Sequence, residues 1–263
     1  MDYSPPAIFL SMGSFNIYYY GLILVLAISL SSILSRKRLL KENLLSSEKI
    51  EDLFFYLIIG GLIGARLGHV FFFQWSYYSK NLIDIIKVWQ GGLAIQGALL
   101  AGLLIIVIFA RQNKIKFFQL SDNLVPFLAL GQALGRWGNY FNQELFGQPT
   151  TQWYGIFIAL EKRVKGFEEF NSFHPTFFYE SFLNLILFVI LMKILKIKKL
   201  GLATLSYLLG YSLIRFSLEY IRIDEVPLLF GIRFPQFLSF LVIIITIFII
   251  YKRYFKVLSK DNK

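Results

Sequence analysis

Long apolar stretches separated by short polar ones run along the whole chain. About 18 apolar residues suffice for an α-helix to cross the roughly 30 Å hydrocarbon core of a membrane. Stretches of about this length predict seven transmembrane helices, at residues 17–35, 53–74, 91–110, 118–134, 177–195, 201–221 and 234–251. Asp122 and Pro126 interrupt the fourth stretch, which a buried helix face tolerates. The pattern predicts an all-α, polytopic integral membrane protein with one membrane domain over residues 1–263.

Basic residues are distributed unevenly between alternate loops of this predicted bundle. Most of the 27 Lys and Arg residues follow the first, third and fifth predicted helices or lie in the C-terminal tail. Because such residues collect in cytoplasmic loops, the N-terminus is expected outside the cytoplasm and the C-terminus inside it. Residues 135–175 then form an extracytoplasmic loop or head region. No basic residue precedes Arg36, so no cleavable signal peptide is expected before the first helix.

The composition excludes several classes of function. The chain has 263 residues, of which 56% are hydrophobic and only 16% charged, with a mean hydropathy of +0.60. Soluble domains usually contain about a quarter charged residues, so a soluble enzyme and a disordered chain are excluded. The net charge of +11 is interpreted as a topology signal and not as a nucleic-acid surface. Cysteine is absent, so any thiol chemistry must come from a partner.

Two arginines, Arg66 and Arg215, fall inside predicted helices. A guanidinium stays charged and is costly at membrane depth unless it is paired or hydrated. Arg66 could lie near a helix end and reach the interface. Tyr211, Arg215, Glu219 and Arg222 are spaced to share one face of the sixth helix. That face is either a structural ion-pair ladder or, as we favour, an anion site, because the planar guanidinium suits phosphate.

A second polar cluster occupies the predicted external loop that begins at Gly135 and runs to residue 147. It contains Arg136, two asparagines at positions Asn139 and Asn142, and Glu144. Glycine allows close approach of the backbone, and these side chains provide charge and neutral hydrogen-bonding groups. The segment predicts a polar pocket at the outer face of the membrane, although glycine-rich turns with asparagine also occur in ordinary loops.

The pattern Gly-Arg-x-Gly-Asn-x-x-Asn-x-Glu-x-x-Gly in this segment closely resembles the signature of bacterial prolipoprotein diacylglyceryl transferases. Further matches follow in the same order along the chain. They are Tyr20-Gly21, residues 64–68, residues 89–93, Asp122 with Pro126, the run His174-Pro175-Thr176-Phe177-Phe178-Tyr179-Glu180, and residues 211–222. The resemblance covers nearly the whole chain. Members of that family have seven transmembrane helices and an extracytoplasmic N-terminus, in agreement with the topology that the charges predict.

The resemblance implies a specific reaction. The diacylglyceryl group of phosphatidylglycerol would pass to the lipobox cysteine thiol of a preprolipoprotein, forming a thioether and releasing glycerol phosphate. The partners implied are therefore phosphatidylglycerol, the signal peptide that carries the cysteine, and the membrane itself, with no nucleic acid. No cofactor and no metal are implied. The expected location is the bacterial cytoplasmic (inner) membrane, with the active site toward the extracytoplasmic side.

The resemblance also implies roles for individual residues. Arg136 and Arg215 are similar to the family's phosphate-holding arginines, and Asn139 and Glu144 match its essential signature residues, so these four are the candidate catalytic residues. Arg136 also heads the implied phosphatidylglycerol-binding set. The other members of that set are Tyr20, Asn142, Gly147, Tyr211, Glu219, Arg66 and Gln96.

One departure from the family pattern concerns the general base. Gln96 stands where the family commonly has a histidine, and glutamine cannot act as a base near neutral pH. His69 and His174 are poor replacements, since each is at least as well explained by packing or by a helix entrance. Glu144, a water molecule or a relay through the lipid phosphate therefore remain open as the proton acceptor.

Rival functions find less support in the sequence. A transporter or channel for an anionic solute could use intramembrane arginine and glutamate. However, no internal repeat relates the two halves, and the polar residues collect toward the outer leaflet rather than at the midplane. An intramembrane protease is disfavoured because the chain has no Gly-x-Ser-x-Gly motif and no intramembrane aspartate pair.

Overall fold

The structure is a computed structural model that describes residues 3–13 and 15–255. It is mostly helical. Its α-helices are α1 (Tyr19–Lys41), α2 (Ser47–Phe72), α3 (Trp75–Tyr78), α4 (Ile95–Gln112), α5 (Phe117–Asn142), α6 (Thr176–Ile194), α7 (Leu202–Leu218) and α8 (Phe234–Ile250). Lys256, Lys260 and Lys263, which the charge pattern assigns to the cytoplasmic side, lie outside the described residues.

Several of these helices can cross a membrane. Among the described residues, α1, α2, α4, α6 with its 3-10 extension and α8 with its π-helical extension are long and apolar enough to do so. The 17-residue α7 is a shorter apolar helix. These helices are consistent with the predicted polytopic membrane protein.

Short two-stranded antiparallel sheets interrupt the mostly helical fold of the described residues. They pair β1 (Ile8–Met12) with β2 (Phe15–Tyr18), β3 (Ile156–Phe157) with β4 (Ser172–Phe173), and β5 (Leu228–Leu229) with β6 (Ile232–Arg233). Four of the six strands have only two residues. Strands this short carry no detectable alternation of apolar and polar positions, so an analysis based on apolar stretches misses them.

Helix ends differ from the predicted spans for local reasons. The second helix begins at Ser47, where the side chain of Ser46 accepts a hydrogen bond from the Lys49 amide, so it starts before the apolar stretch. In contrast, α4 begins only at Ile95. Gly91 and Gly92 have φ values of 88° and 74°, a left-handed conformation that a helix excludes.

The largest difference concerns α5, which the apolar pattern predicts to end at residue 134. It continues to Asn142, so the first half of the predicted polar loop is helical. Gly138 lies against the ring of Tyr20, where an added Cβ would come 2.5 Å from Cδ2. This close packing outweighs the weak helix propensity of glycine. The helix stops where Gln143 and Leu145 adopt positive φ values of 52° and 57°.

Contacts divide the chain into two compact units. The second unit is Ser35–Asn123 and the first comprises Met1–Leu34 and Leu124–Lys263. In the second unit, α2 and α4 pack through glycines: a Cβ on Gly64 would lie 2.6 Å from the carbonyl oxygen of Gly97. Small residues of this kind let helix backbones approach closely in membranes. The single membrane domain over residues 1–263 stays a prediction.

Two clusters of buried hydrophobic residues are found among the described residues of the first unit. One lies between α5, α6 and α7 and is formed by Val125, Ala129, Leu187, Leu191, Ala203 and Tyr207. The other comprises Phe146, Ile158 and Phe173, so the segment that joins α5 to α6 has a small core of its own. The candidate site is built from α5, α6 and α7 and the segments that follow α5 and α7.

Candidate functional site

Arginines and carboxylates alternate through the first unit in one continuous series of contacts, here called the ion-pair chain. Each neighbouring pair approaches within 4 Å. In order of contact, its members are Arg136, Glu180, Arg222, Asp224, Arg233, Glu219 and Arg215. The series therefore begins and ends on the two arginines to which the resemblance assigns the phosphate.

The first half of the ion-pair chain is centred on Glu180 in the second turn of α6. Its side chain is nearly inaccessible, with 1% of the residue surface exposed. Oε1 accepts a hydrogen bond from Nη2 of Arg136 at 2.6 Å, and Oε2 lies 3.8 Å from Nη1 of Arg222. The guanidinium of Arg136 also interacts electrostatically with the Tyr211 hydroxyl. A buried carboxylate of this kind needs such partners because its desolvation is costly.

The second half is centred on Glu219, which caps α7 and is likewise 1% exposed. Nε of Arg233 donates to Oε1 at 2.7 Å. Nη2 of Arg215 lies 2.9 Å from Oε2, but the two are not aligned as a hydrogen bond. Glu219 is thus shared between two guanidinium groups, and the better directed of its two contacts goes to Arg233.

Asp224 joins the two halves. It accepts a hydrogen bond from Nε of Arg222 at 2.7 Å and lies 3.6 Å from Nη2 of Arg233. Burial acts to raise the pKa of the Asp224 carboxyl, but the hydrogen bond from Arg222 and the neighbouring guanidinium charges outweigh it and lower that pKa. Asp224 therefore stays ionised at pH values where an ordinary aspartate begins to take up a proton.

The ends of the ion-pair chain are suited to an anion. Four arginines alternate with three carboxylates, so this series carries one more positive than negative charge. Among the ion pairs of residues 3–13 and 15–255, Arg136 and Arg215 each have one carboxylate partner. Their side chains keep 22% and 16% of their surface exposed. An anion bound between Arg136 and Arg215 would place a negative group beside each of these arginines and balance the excess positive charge.

Glu144 belongs to a separate amide cluster that adjoins Arg136. Its Oε1 accepts hydrogen bonds from Nδ2 of Asn139 at 2.8 Å and of Asn142 at 3.3 Å. The Oδ1 of Asn139 in turn accepts a hydrogen bond from Nη1 of Arg136 at 3.4 Å. The ring of Tyr20, in α1, packs on Gly138, which precedes Asn139 in α5. The structure therefore brings Tyr20, Asn139, Asn142 and Glu144 together with Arg136.

Close packing leaves little room for a side chain at position 147, which is occupied by Gly147. Its amide donates to the carbonyl of His174 at 2.9 Å. An added Cβ would come 2.8 Å from a methyl carbon of Ile221, 2.9 Å from one of Thr176 and 3.0 Å from Cβ of His174. The position also forms a β-bridge with Arg222. Gly147 therefore connects the loop after α5 to the segment that carries Arg222.

The Gly147→Ala variant is expected to lower the stability of the protein by about 1 to 3 kcal/mol, because the neighbouring atoms must move to admit the methyl group. The melting temperature in detergent measures this loss. Gly102→Ala is a matched control, since no atom lies within 4 Å of its added Cβ. Equal melting temperatures for the two variants would contradict this account of Gly147.

Arg66, which the resemblance places in the lipid-binding set, is surrounded by backbone carbonyl groups. It is buried in the second unit, and its guanidinium lies 5.1 Å from the ring centroid of Tyr78. All five of its N–H donors have backbone acceptors at 2.5 to 3.3 Å. These are the carbonyl oxygens of Asp84, Ile85, Lys87, Gly91 and Gly92. In this arrangement no donor remains for a phosphate, so Arg66 organises the segment between α3 and α4.

Arg66→Ala is expected to destabilise the protein by about 3 kcal/mol, because several carbonyl groups lose their donor together. Arg66→Lys should restore only part of this, since an ammonium lacks the planar fork. The measurement is the melting temperature together with proteolysis of residues 82–92. Arg111→Ala, which removes an exposed arginine from α4, is the control. Similar effects of Arg66→Ala and Arg111→Ala would be incompatible with this role.

The remaining predicted residues differ in how far they are exposed and in what they contact. Gln96 is exposed in the first turn of α4, in the second unit. Arg222, predicted to lie on the helical face near the surface, is instead buried and follows the end of α7 at Leu218. Tyr211 and Glu219 both neighbour Arg215, as the helical spacing predicts.

Three members of the ion-pair chain are not among the site residues that the sequence predicts: Glu180, Asp224 and Arg233. Glu180 ends the matched run at residues 174–180, and its place near the start of an apolar helix was a usable signal. Asp224 and Arg233 lie outside the predicted spans, where charged residues are ordinary. Their involvement depends on contacts that helical spacing does not reveal.

Comparisons with known proteins agree on one family. A family model described as prolipoprotein diacylglyceryl transferase matches residues 7–252. A relative from Synechococcus elongatus is 40% identical over 251 residues, covering 91% of this chain and 84% of the relative. One from Acaryochloris marina is 43% identical over 227 residues, covering 85% and 81%, and one from Thermosynechococcus vestitus is 34% identical over 257 residues, covering 97% and 95%. All three are named phosphatidylglycerol–prolipoprotein diacylglyceryl transferase.

Proposed function

The chain belongs to the prolipoprotein diacylglyceryl transferase family, and we propose that the ion-pair chain and the amide cluster around Glu144 form its active site. The protein is a membrane transferase that moves the diacylglyceryl group of phosphatidylglycerol to a prolipoprotein. The acceptor is the thiol of the lipobox cysteine, and the leaving group is glycerol phosphate. The absence of cysteine from this chain is consistent with a nucleophile that belongs to the substrate.

The phosphate of phosphatidylglycerol binds between Arg136 and Arg215. The observation that carries this proposal is the ion-pair chain, which ends in an arginine on both sides and has one excess positive charge. Both arginines interact electrostatically with Tyr211 and with Glu180, so they face a shared space. A phosphodiester that contacts both would pair with the excess charge through charge-assisted hydrogen bonds.

The transfer is a displacement at a glycerol carbon. The cysteine sulfur forms a bond to the carbon that carries the phosphate ester, and the carbon–oxygen bond breaks with its electron pair going to the phosphate oxygen. Arg136 and Arg215 stabilise the negative charge that develops there. No acyl-enzyme intermediate is needed, because no carbonyl carbon is attacked.

Glu144 accepts the thiol proton as the sulfur–carbon bond forms, and returns it to the released glycerol phosphate. Its Oε1 accepts the hydrogen bonds from Asn139 and Asn142, which fixes the carboxylate, and Oε2 is the oxygen that takes up the thiol proton. The residue is exposed enough to meet an incoming peptide. Asn139 links this carboxylate to Arg136, so the proton acceptor and the phosphate site are held in one arrangement.

The topology that we propose has seven transmembrane helices, namely α1, α2, α4, α5, α6, α7 and α8. The N-terminus lies outside the cytoplasm and the C-terminus inside it, in the bacterial inner membrane, with the active site toward the extracytoplasmic side. The bias of basic residues toward alternate loops supports this orientation. Among the described residues, α1, α2, α4, α6 and α8 are long and apolar enough to cross a membrane, which supports a polytopic protein.

A transfer assay tests the function directly. Detergent-purified protein is incubated with phosphatidylglycerol labelled in its acyl chains and with a lipobox peptide, and the label on the peptide is measured. We expect label on the cysteine peptide and none on a matched peptide with serine in its place. Anion flux into vesicles without any label transfer would instead favour a transporter.

A further inference from the structure

Arg233 ties together parts of the first unit that are distant in sequence. It ends the β5–β6 hairpin, where it pairs with Leu228, and it precedes the first residue of α8. Its Nε donates to Oε1 of Glu219 at 2.7 Å, and its Nη2 donates to the backbone carbonyl of Asp224 at 2.8 Å. The hairpin therefore fixes the backbone from which this guanidinium reaches the carboxylate behind Arg215.

We propose that Arg233 is a positioning residue for the lipid substrate, and that it holds Glu219 so that Arg215 remains available to the phosphate. This inference rests on the proposed function, in which Arg215 binds the phosphatidylglycerol headgroup. Arg233 acts through Glu219 and Arg215 and does not itself contact the reacting atoms.

The two carboxylate oxygens of Glu219 have different partners. This carboxylate is almost fully buried, so it needs cationic or hydrogen-bonding partners. Arg233 takes Oε1 in a directed bond, whereas Arg215 is only near Oε2 and is poorly aligned with it. Without Arg233, Glu219 would be free to turn both oxygens toward Arg215. A guanidinium and a carboxylate strongly favour such a two-bond pair, which would withdraw donors from the phosphate.

Charge leads to the same conclusion. With Arg233, the ion-pair chain has four arginines and three carboxylates, and the excess positive charge is available to an anion. Without it, the numbers are equal and the excess is gone. Glu180 is arranged in the same way, because it contacts Arg222 as well as Arg136. Glu180 and Glu219 therefore each have a second arginine partner. This second partner leaves Arg136 or Arg215, at the end of the ion-pair chain, available to an anion.

The experiment compares Arg233→Gln and Arg233→Lys with the parent protein in the transfer assay, at saturating lipobox peptide and varied phosphatidylglycerol. For Arg233→Gln we expect the KM for phosphatidylglycerol to rise about tenfold, a usual size for coupling within one charge network. We expect kcat to fall as well, because Arg215 also stabilises the charge that develops on the leaving phosphate. Arg233→Lys keeps the charge but lacks the fork, so its KM should lie between the two. Loss of a merely structural residue would lower the amount of folded protein without raising the KM for phosphatidylglycerol.

Arg163→Gln is the matched control. Arg163 is also a partly buried arginine that donates to backbone carbonyls, those of Ile158 and Glu168, but it lies outside the ion-pair chain. Its loss should lower the melting temperature and leave the KM for phosphatidylglycerol unchanged. The inference is overturned if Arg233→Gln lowers only stability, or lowers kcat with an unchanged KM. If Arg233→Gln does not fold, an unchanged KM in Arg233→Lys overturns it equally.

A parallel measurement on Arg215→Ala separates this inference from the proposed function. If Arg215→Ala transfers the label like the parent protein, the proposed phosphate site is wrong whatever Arg233 does. If Arg215→Ala is inactive while Arg233→Gln keeps the parent KM, the phosphate site stands and only the positioning role of Arg233 is lost.

Discussion

Arg136→Ala and Arg215→Ala are each expected to abolish most thioether formation. Loss of a guanidinium that grips a charged group in a poorly hydrated site costs on the order of 2 to 5 kcal/mol, which is roughly thirtyfold to several thousandfold in rate. The expected loss is large for both residues, because each forms one end of the ion-pair chain. The measurement is label transfer from phosphatidylglycerol to the lipobox peptide.

The controls must distinguish a loss of catalysis from a loss of folding, because Arg136 also pairs with the buried Glu180. Arg136→Lys preserves that charge pair and should fold, yet it cannot contact a carboxylate and a phosphate through a planar fork, so its rate should also fall. Arg111→Ala removes an exposed arginine and should transfer label normally. Near-normal lipidation by a purified, folded Arg136→Ala or Arg215→Ala protein would remove that residue from the site.

Glu180→Gln is expected to destabilise the protein by about 3 to 5 kcal/mol, the usual effect of removing one partner from a buried ion pair. The substitution leaves Arg136 and Arg222 without the carboxylate between them. The melting temperature in detergent measures the loss. Because Arg136 is then no longer held, transfer activity should fall as well in whatever fraction of the protein stays folded.

Glu225→Gln is the matched control for Glu180→Gln. Glu225 is an exposed carboxylate near Asp224, and its loss should change neither the melting temperature nor the transfer rate appreciably. If both variants melt at the same temperature as the parent protein, Glu180 is not the structural centre that the ion-pair chain suggests.

The residues at the two ends of the ion-pair chain could be predicted from the sequence. Arg215 was recognised because a permanent charge inside an apolar stretch is rare, and Arg136 because it stands in a long and specific signature. The energetic cost of a charge in an apolar stretch and the length of a specific signature can both be recognised from the sequence alone. The spacing of Glu219 from Arg215 by one helical turn likewise predicted their contact, which the structure confirms.

Other parts of the site depended on tertiary contacts. Arg233 pairs with Glu219 across 14 residues, and Arg136 with Glu180 across 44; no periodicity links such positions. The helical end of α5 was missed because Gly135 and Gly138 suggest a loop, whereas packing of Gly138 on Tyr20 stabilises a helix there. The contacts of Arg66 could not be predicted for a similar reason, since its partners are backbone carbonyls of a later segment.

The most direct test of the central claim is an experimental structure of the protein with phosphatidylglycerol bound. The account predicts phosphate oxygens within about 2.7 to 3.2 Å of guanidinium nitrogens from both Arg136 and Arg215, with Glu180 and Glu219 still paired behind them. A phosphate held elsewhere, with both arginines engaged only by these carboxylates, would contradict it.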